Sequence, residues 1–324
     1  MNRNFKKCLI TGATGSGGSY LVEHVIKKDE NIKIFALYRS KGYLNFLKKK
    51  YKNNHIYFIK NDLKNFSGLK KITKEIRPDL IFHMASDADV RGSFDNPVGC
   101  TSNNNLITVN LLEAIRQTKI NPIVVICSTS EVYGSVTKKD IPISENQKIS
   151  PANPYAVSKT FQDLLSQVYF KSFGLRIIIT RMFSYTNPRR NNLFQTAFAN
   201  QIARIEIGKL KKLKHGNLKS IRTFVDIYDA MEAYWLAATK GRIGEIYNIG
   251  GNKTISVKQF LKELIKLAKC KIKHSIDKNL LRPQDVTLQI PDFRKFNKDT
   301  GWTPKVTFQD SVTRLLNECR KKYN

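Results

Sequence analysis

Residues 7–18 read KCLITGATGSGG, a short apolar run that meets a glycine-rich turn. Gly12, Gly15 and Gly18 stand three residues apart, directly after the apolar run and before an amphipathic stretch. Glycine permits a tight turn and a close backbone approach, and a helix N-terminus presents free N–H groups to a phosphate. The pattern therefore predicts a strand, a turn and a helix that bind the pyrophosphate of a dinucleotide, with Thr14 inside the turn.

Short β-branched runs alternate with amphipathic stretches through the first half of the chain. This alternation predicts parallel βαβ units and an α/β, Rossmann-type doubly wound sheet. The predicted strands are residues 7–11, 32–37, 55–59, 80–83, 123–127 and 175–180, and the predicted helices are residues 19–28, 66–76, 103–118 and 155–173. Because these strands are apolar along most of their length, we expect helices on both faces of the sheet.

The alternation ends near residue 181, which predicts two domains. Residues 1–181 are expected to form the NAD(P)-binding domain with the catalytic residues. Residues 182–324 are expected to form mainly a smaller α/β lobe that binds the substrate at the carboxyl ends of the strands. The elements predicted there are helices at 197–207, 257–268 and 308–321, a basic loop at 209–219, and a strand at 245–251 that returns to the first domain.

Composition narrows the class of protein. The 56 Lys and Arg against 26 Asp and Glu give a formal net charge of +30, but the lysines are spread along the whole chain without a nucleic-acid-binding motif. We therefore expect solvated basic faces and no nucleic-acid partner. No apolar run approaches the roughly 20 residues that span a bilayer, and the N-terminus does not resemble a signal peptide. Five dispersed cysteines indicate reduced thiols, a cytoplasmic location and no metal site.

The end of the second predicted strand bears on the choice of cofactor. An acidic residue at this point would bind the ribose 2′-hydroxyl of NAD, but the sequence continues Tyr38, Arg39, Ser40. Arg39 could instead hold the 2′-phosphate of NADP, which favours NADP. NAD stays possible if Arg39 is only an exposed arginine and other groups hold the ribose.

A catalytic pattern follows the fifth predicted strand. Residues 128–134 read STSEVYG, and Tyr155 and Lys159 stand four residues apart on a predicted helix. A phenol with a pKa near 10 is a weak base at neutral pH, but a lysine on the same helix face favours the phenolate. Thr129 can hydrogen-bond the same substrate hydroxyl. With the dinucleotide turn, this pattern predicts oxidation of a sugar alcohol by a nicotinamide cofactor that also contacts Tyr155 and Lys159.

Glu131 distinguishes between reaction types. Oxidation at C4 of a sugar makes the C5 proton acidic, and a carboxylate near C5 can remove it as a general base before the C6 hydroxyl leaves. Enzymes that only oxidise, reduce or epimerise at C4 need no such carboxylate. The sequence therefore favours a lyase, with a sugar C4 dehydrogenase, reductase or epimerase as the alternative. A binding module with an inactive dehydrogenase fold is disfavoured by Thr129, Tyr155 and Lys159.

These motifs resemble those of the extended short-chain dehydrogenase/reductases that modify nucleotide sugars. Within that group the chain is most similar to the GDP-mannose 4,6-dehydratases, and next to the GDP-6-deoxy-4-keto-mannose reductases. The resemblance covers nearly the full length. Its markers are TGATGSGGSYL from residue 11, STSEVYG from 128, PYAVSK from 154, NPRR from 187, GNL from 216 leading to Arg222, and RPQDV from 282.

The resemblance implies roles for individual residues. Thr129, Tyr155 and Lys159 would form the catalytic triad, and Glu131 would be the base of the dehydratases. Asp62, with Leu63 beside it, would contact the adenine of the cofactor. The implied substrate-binding residues are Ser130, Ser184, Asn187, Arg189, Asn217, Arg222 and Arg282. Among these, the two arginines at 222 and 282 would hold the pyrophosphate of a GDP-linked sugar. A homodimer or homotetramer built through helices 103–118 and 155–173 is also implied.

The chain departs from the family pattern where the hexose should lie. The family usually has AAQSHV after the fourth strand, but residues 85–90 read ASDADV, so that Ala88 and Asp89 replace a serine and a histidine. Ser184 replaces an asparagine in the sequence Phe-Asn-His. These departures leave open whether the sugar is mannose or a larger one, such as the heptose of GDP-manno-heptose.

Overall fold

A computed structural model describes residues 3–281 and 283–323. Its strands β1 to β12 span Lys7–Thr11, Lys33–Tyr38, Ile56–Lys60, Leu80–His83, Ile123–Thr129, Arg176–Met182, Leu213–His215, Ile221–Thr223, Ile246–Ile249, Thr254–Ser256, His274–Ile276 and Leu288–Gln289. Its helices α1 to α11 span Ser16–Lys28, Leu44–Lys50, Phe66–Ile76, Gly92–Asp95, Pro97–Gln117, Pro154–Phe173, Phe194–Glu206, Ile227–Lys240, Val257–Lys266, Arg294–Thr300 and Phe308–Arg320. Short 3₁₀ turns occupy Ser130–Tyr133, Lys138–Asp140 and Lys278–Leu280.

The largest sheet has seven parallel strands in the order β3-β2-β1-β4-β5-β6-β9. Helices α1 and α8 contribute apolar residues to the core on one face, and α3, α5 and α6 contribute to the core on the other. Strands with apolar side chains on both faces require this double cover. The predicted α/β, Rossmann-type doubly wound sheet is confirmed, and the carboxyl ends of its strands meet at one edge.

A second lobe is built around α7, α9 and α11, which share one apolar cluster. Two small sheets accompany them, with the strand orders β10-β8-β12 and β11-β7. The strand predicted at 245–251 does return to the large sheet, as β9 at its edge. The chain also returns through α8 and α10, which pack against the large sheet and against each other. The second half of the chain therefore contributes more to the first lobe than the sequence predicted.

Several predicted elements differ from those observed. Helix α5 begins at Pro97 and not at residue 103, because Asn96 accepts a hydrogen bond from the Gly99 N–H and Pro97 occupies the first turn. The segment 209–219, predicted as a loop, contains strand β7, which pairs with β11. Helices α2, α4, α8 and α10 were not predicted. Within the described residues, no helix combines the length and the hydropathy needed to cross a membrane.

Candidate active site

The glycine-rich turn between β1 and α1 leaves no room for side chains. Gly12 has a φ of +66°, and a Cβ there would lie 2.9 Å from the Cα of Ala85. A Cβ on Gly18 would lie 2.1 Å from the carbonyl oxygen of Gly12. Gly15 precedes the first residue of α1, which begins at Ser16, three residues earlier than predicted. The turn is therefore a backbone-lined cradle at a helix N-terminus, which fits the pyrophosphate of a dinucleotide.

The predicted cofactor residues of the turn and the strand ends meet in one cavity of about 250 Å³. They are Gly12, Thr14, Gly15, Gly18, Arg39, Asp62 and Leu63. Thr14 ties the turn to the end of β2, because its hydroxyl donates to the Ser40 carbonyl at 2.9 Å. The Arg39 side chain is exposed at this strand end and donates to Asn103 Oδ1 at 3.2 Å. The sequence did not predict Asn103 here.

A second cavity, which we call the sugar cavity, opens at the end of β5. Its lining includes Thr129, Glu131, Tyr155 and Lys159, the four predicted catalytic residues. Burial raises the pKa of the Tyr155 phenol, and the positive charge of Arg190 and a hydrogen bond with Thr129 partly offset this effect. The four side chains thus share one partly enclosed site.

Lys159 is buried beside the end of β5 and has hydrogen-bond partners of its own. Its Nζ donates to the Cys127 carbonyl at 2.7 Å and also to the Gln162 side chain. Burial lowers the pKa of this ammonium group from 10.5 to about 8. The positive charge of Arg190 lowers the pKa of the Tyr155 phenol and so opposes the effect of burial. Arg190 lines both the cavity at the glycine-rich turn and the sugar cavity, and its guanidinium donates a hydrogen bond to the Ala88 carbonyl.

The carboxylate of Glu131 is buried and held on both oxygens. Asn153 Nδ2 donates to Oε2 at 3.1 Å, and Gln289 Nε2 donates to Oε1 at 2.9 Å. Arg222 Nη1 lies 3.9 Å from Oε1. The other end of the Asn153 amide accepts a hydrogen bond from the Ala156 N–H and so caps α6. Asn153 therefore fixes the position of the Glu131 carboxylate relative to α6, the helix that carries Tyr155.

The structure brings some of the predicted substrate residues together. Ser130, Ser184 and Arg222 line the sugar cavity. Asn217 lines an adjoining cavity of about 390 Å³ in the second lobe, which Arg222 also lines, and donates to Asp285 at 2.6 Å. Arg282 lies outside the described residues. Arg222 therefore lines both the sugar cavity and the cavity of the second lobe.

Two predicted substrate residues lie away from these cavities. The Arg189 guanidinium stacks 3.8 Å from the centre of the Tyr20 ring and pairs with Glu23 at 2.6 Å. Asn187 is fully buried, and its Oδ1 accepts a hydrogen bond from the Arg189 N–H at 3.0 Å. Both side chains stabilise the loop and its contact with α1. The next residue, Arg190, reaches the cavities instead.

The chain matches the family described as GDP-mannose 4,6 dehydratase over residues 9–315. It belongs to the GDP-mannose 4,6-dehydratase family. It is 27% identical to the GDP-mannose 4,6-dehydratase of Yersinia enterocolitica, over 96% of this chain and 93% of that protein. Family membership confirms the prediction of an NAD(P)-dependent enzyme of the nucleotide-sugar dehydratase type.

Solved structures agree with this fold. The UDP-glucuronic acid 4-epimerase of Bacillus cereus, in complex with UDP-glucuronic acid and NAD, is 26% identical and superposes with a TM-score of 0.86 over 98% of this chain and all of that one. The RMD protein of Pseudomonas aeruginosa, in complex with NADPH, is 22% identical with a TM-score of 0.83 over 99% of this chain and all of that one.

The departures from the family pattern at Ala88, Asp89 and Ser184 line the sugar cavity. Ala88 and Asp89 follow β4, and Ser184 follows β6, so all three lie at the carboxyl ends of the parallel strands. Asp89 also lines the adjoining cavity of the second lobe. This member of the GDP-mannose 4,6-dehydratase family therefore differs from the usual pattern at the wall that faces its predicted catalytic residues.

Proposed function

We propose that the protein is a GDP-sugar 4,6-dehydratase that acts on GDP-mannose or GDP-manno-heptose. The observation that carries the proposal is the buried carboxylate of Glu131, which lines the same cavity as Thr129 and Tyr155. A C4 oxidoreductase needs the hydroxyl and the phenol but has no use for this acid. Two amide donors hold the carboxylate, as a general base requires for a defined direction of attack.

The chemistry divides between these residues. A bound nicotinamide would accept the C4 hydride and later return it to C6. Tyr155 would take the proton of the C4 hydroxyl, which Thr129 orients. Glu131 would then take the C5 proton, the electron pair of the broken C5–H bond would form a C5–C6 double bond, and the C6 hydroxyl would leave as water with the proton that Glu131 releases. When the hydride returns to C6, C5 would take up one proton, which balances the proton that Tyr155 removed from the C4 hydroxyl, so that the net change is the loss of one water.

The cofactor we propose is NADP, with NAD as the other candidate. Arg39 at the end of β2 offers a guanidinium to a 2′-phosphate, and no acidic residue occupies the strand end. Asp62 and Leu63 line the same cavity, and we propose that they contact the adenine. On the substrate side, Arg222 and Asn217 suit the pyrophosphate and the nucleotide, and Arg282 is proposed beside them from its motif.

The sugar itself is proposed from the altered cavity wall. Ala88 is smaller than the usual serine, and Asp89 and Ser184 supply a carboxylate and a hydroxyl where the family has a histidine and an asparagine. A heptose carries one more carbon and hydroxyl than a hexose, so a carboxylate that accepts hydrogen bonds is a suitable partner. We therefore expect GDP-manno-heptose to compete with GDP-mannose.

A cytoplasmic location is supported by five free cysteines, four of them buried.

Mass spectrometry of the product tests the function. Purified protein is incubated with each GDP-sugar, without added cofactor, and loss of one water is expected. Glu131→Gln should lose no water while still oxidising C4. A 4-keto product that retains all its oxygens, or a C4 epimer, from the wild-type enzyme would contradict the proposal and favour the alternative oxidoreductase or epimerase.

A further inference from the structure

One side-chain amide, that of Gln289, lies between Arg222 and Glu131. Its Nε2 donates to Glu131 Oε1 at 2.9 Å, and its Oε1 accepts a hydrogen bond from Arg222 Nη1. Gln289 is 2% exposed, so both ends of the amide depend on these partners. Hydrogen bonds therefore connect the Arg222 guanidinium, the Gln289 amide and the Glu131 carboxylate in series beside the sugar cavity.

The charges at the two ends fix the orientation of the amide. If the amide were flipped, its NH₂ group would face the guanidinium and its oxygen would face the carboxylate, and both contacts would be repulsive. The backbone adds a second constraint, because Gln289 on β12 is the direct strand partner of Arg222 on β8. Gln289 therefore presents its N–H to Glu131 from one defined direction.

This contact also joins the two lobes. Glu131 follows β5 of the large sheet, whereas Gln289 and Arg222 belong to the small three-stranded sheet of the second lobe. The other donor to the carboxylate, Asn153, comes from the first lobe. The direction of the Glu131 carboxylate is thus set by both lobes at once, and it depends on the side chain proposed to hold the substrate pyrophosphate.

We propose that Gln289 is a positioning residue for the dehydration step, which rests on the proposed role of Glu131. Gln289 orients the Glu131 carboxylate toward the C5 proton. It also couples this orientation to Arg222, which is proposed to hold the substrate pyrophosphate. C4 oxidation by Tyr155 and Thr129 does not use this contact. Loss of the Gln289 amide should therefore slow water loss and leave the oxidation that precedes it intact.

The test compares Gln289→Met with wild type. Methionine has nearly the same length and volume but neither donates to Glu131 nor accepts from Arg222. We expect the rate of water loss to fall about 10- to 100-fold, a part of what a general base contributes. Cofactor reduction in a single turnover should stay unchanged, and the product mixture should gain the 4-keto sugar that has kept its water. Gln309→Met, on the exposed face of α11, is the matched control and should behave as wild type.

A second variant guards against misfolding. Gln289→Glu keeps a partner for the buried Arg222 guanidinium but sets a second carboxylate against Glu131, so it should lose more dehydration than the methionine variant. Equal losses of oxidation and water loss in either folded variant, or no loss at all, would overturn the inference. If the wild-type enzyme removes no water from either GDP-sugar, the proposed function fails first, which separates the two failures.

Discussion

Arg189 and Arg190 are adjacent in sequence, but their guanidinium groups lie in different parts of the molecule. Arg189 packs on Tyr20 and pairs with Glu23 of α1. Arg190 lines both cavities and lowers the pKa of Tyr155. Sequence reasoning chose Arg189 as a substrate residue because the motif names both positions, and only the turn of the loop decides which one faces the site.

Replacing Arg190 and Arg189 one at a time by methionine tests these two assignments. Arg190→Met removes a positive charge near Tyr155, so the pKa of the phenol should rise and the rising limb of kcat/KM for C4 oxidation should move to higher pH. Arg189→Met should leave that profile unchanged and lower the free energy of unfolding by about 1–3 kcal/mol, because Glu23 loses a buried partner. Superimposable pH profiles for wild type and Arg190→Met would contradict the assignment.

Lys159 carries a pH-dependent stability penalty. The pKa of its ammonium group is about 8 in the folded protein and 10.5 ordinarily. Between these values the unfolded chain binds more protons, so the free energy of unfolding rises with pH through this window. Below pH 8 the whole cost of burying the charge is present, at most about 3 kcal/mol.

Lys159→Met has no such group and should not show this part of the pH dependence. The wild-type enzyme should therefore gain stability relative to the variant as the pH rises from 7 to about 10.5. Urea unfolding of both proteins at several pH values measures the difference. Parallel stability curves across the window would show that Lys159 is not buried as an ammonium group, whereas loss of C4 oxidation in Lys159→Met is expected in either case.

Residue types at the site could be predicted from the sequence more easily than their partners. Thr129, Tyr155 and Lys159 follow from local spacing, since a strand end and one helical turn bring them together. Asn153 was not among the predicted site residues, although its amide both caps α6 and holds Glu131. Gln289 gave no signal, because its contact with Glu131 joins residues 158 positions apart.

At the scale of elements, the glycine cradle depends on backbone contact. Gly18→Ala would place a Cβ against the carbonyl of Gly12, and backbone on both sides of the contact would have to shift. We expect cofactor affinity to fall by tenfold or more, about 1.4 kcal/mol. Fluorescence titration with NADPH measures this loss.

Gly208→Ala is the control for this prediction. Gly208 has a φ of +73° with open space around its Cα, so alanine should cost roughly 1–2 kcal/mol of stability from backbone strain alone. Its affinity for NADPH should match that of the wild-type enzyme. If Gly18→Ala also retained that affinity, the close approach of the turn would not be needed for the cofactor.

The elements that escaped prediction share a physical cause. The first-half strands are continuous apolar runs, and their pattern is visible in the sequence. Helix α8 is buried on several sides, with Ala230, Ala233, Ala237 and Ala238 among its core residues, so it lacks the polar face that marks a helix. Strands β7, β8 and β10 to β12 have two or three residues each, and their pairing comes from distant segments.

At the scale of the whole molecule, helices α5 and α6 present an uncovered apolar face. On α6, Val157, Leu164 and Val168 are 48%, 51% and 50% exposed, and their spacing of seven and four residues places them on one side of the helix. Leu106 is exposed on α5, which packs beside α6. This face supports the predicted homo-oligomer through the same two helices.

Charge placed on this face should separate the subunits. Leu164→Glu combined with Val168→Glu puts two carboxylates where a partner helix would pack, so light scattering should report a monomer while the wild-type protein is a dimer or tetramer. Ile276→Glu, at an exposed apolar position of the second lobe, is the control and should leave the mass unchanged. Because Tyr155 and Lys159 lie on the opposite, buried side of α6, the monomer should still bind NADPH. A wild-type protein that is itself monomeric would instead mean that this apolar face serves no self-association.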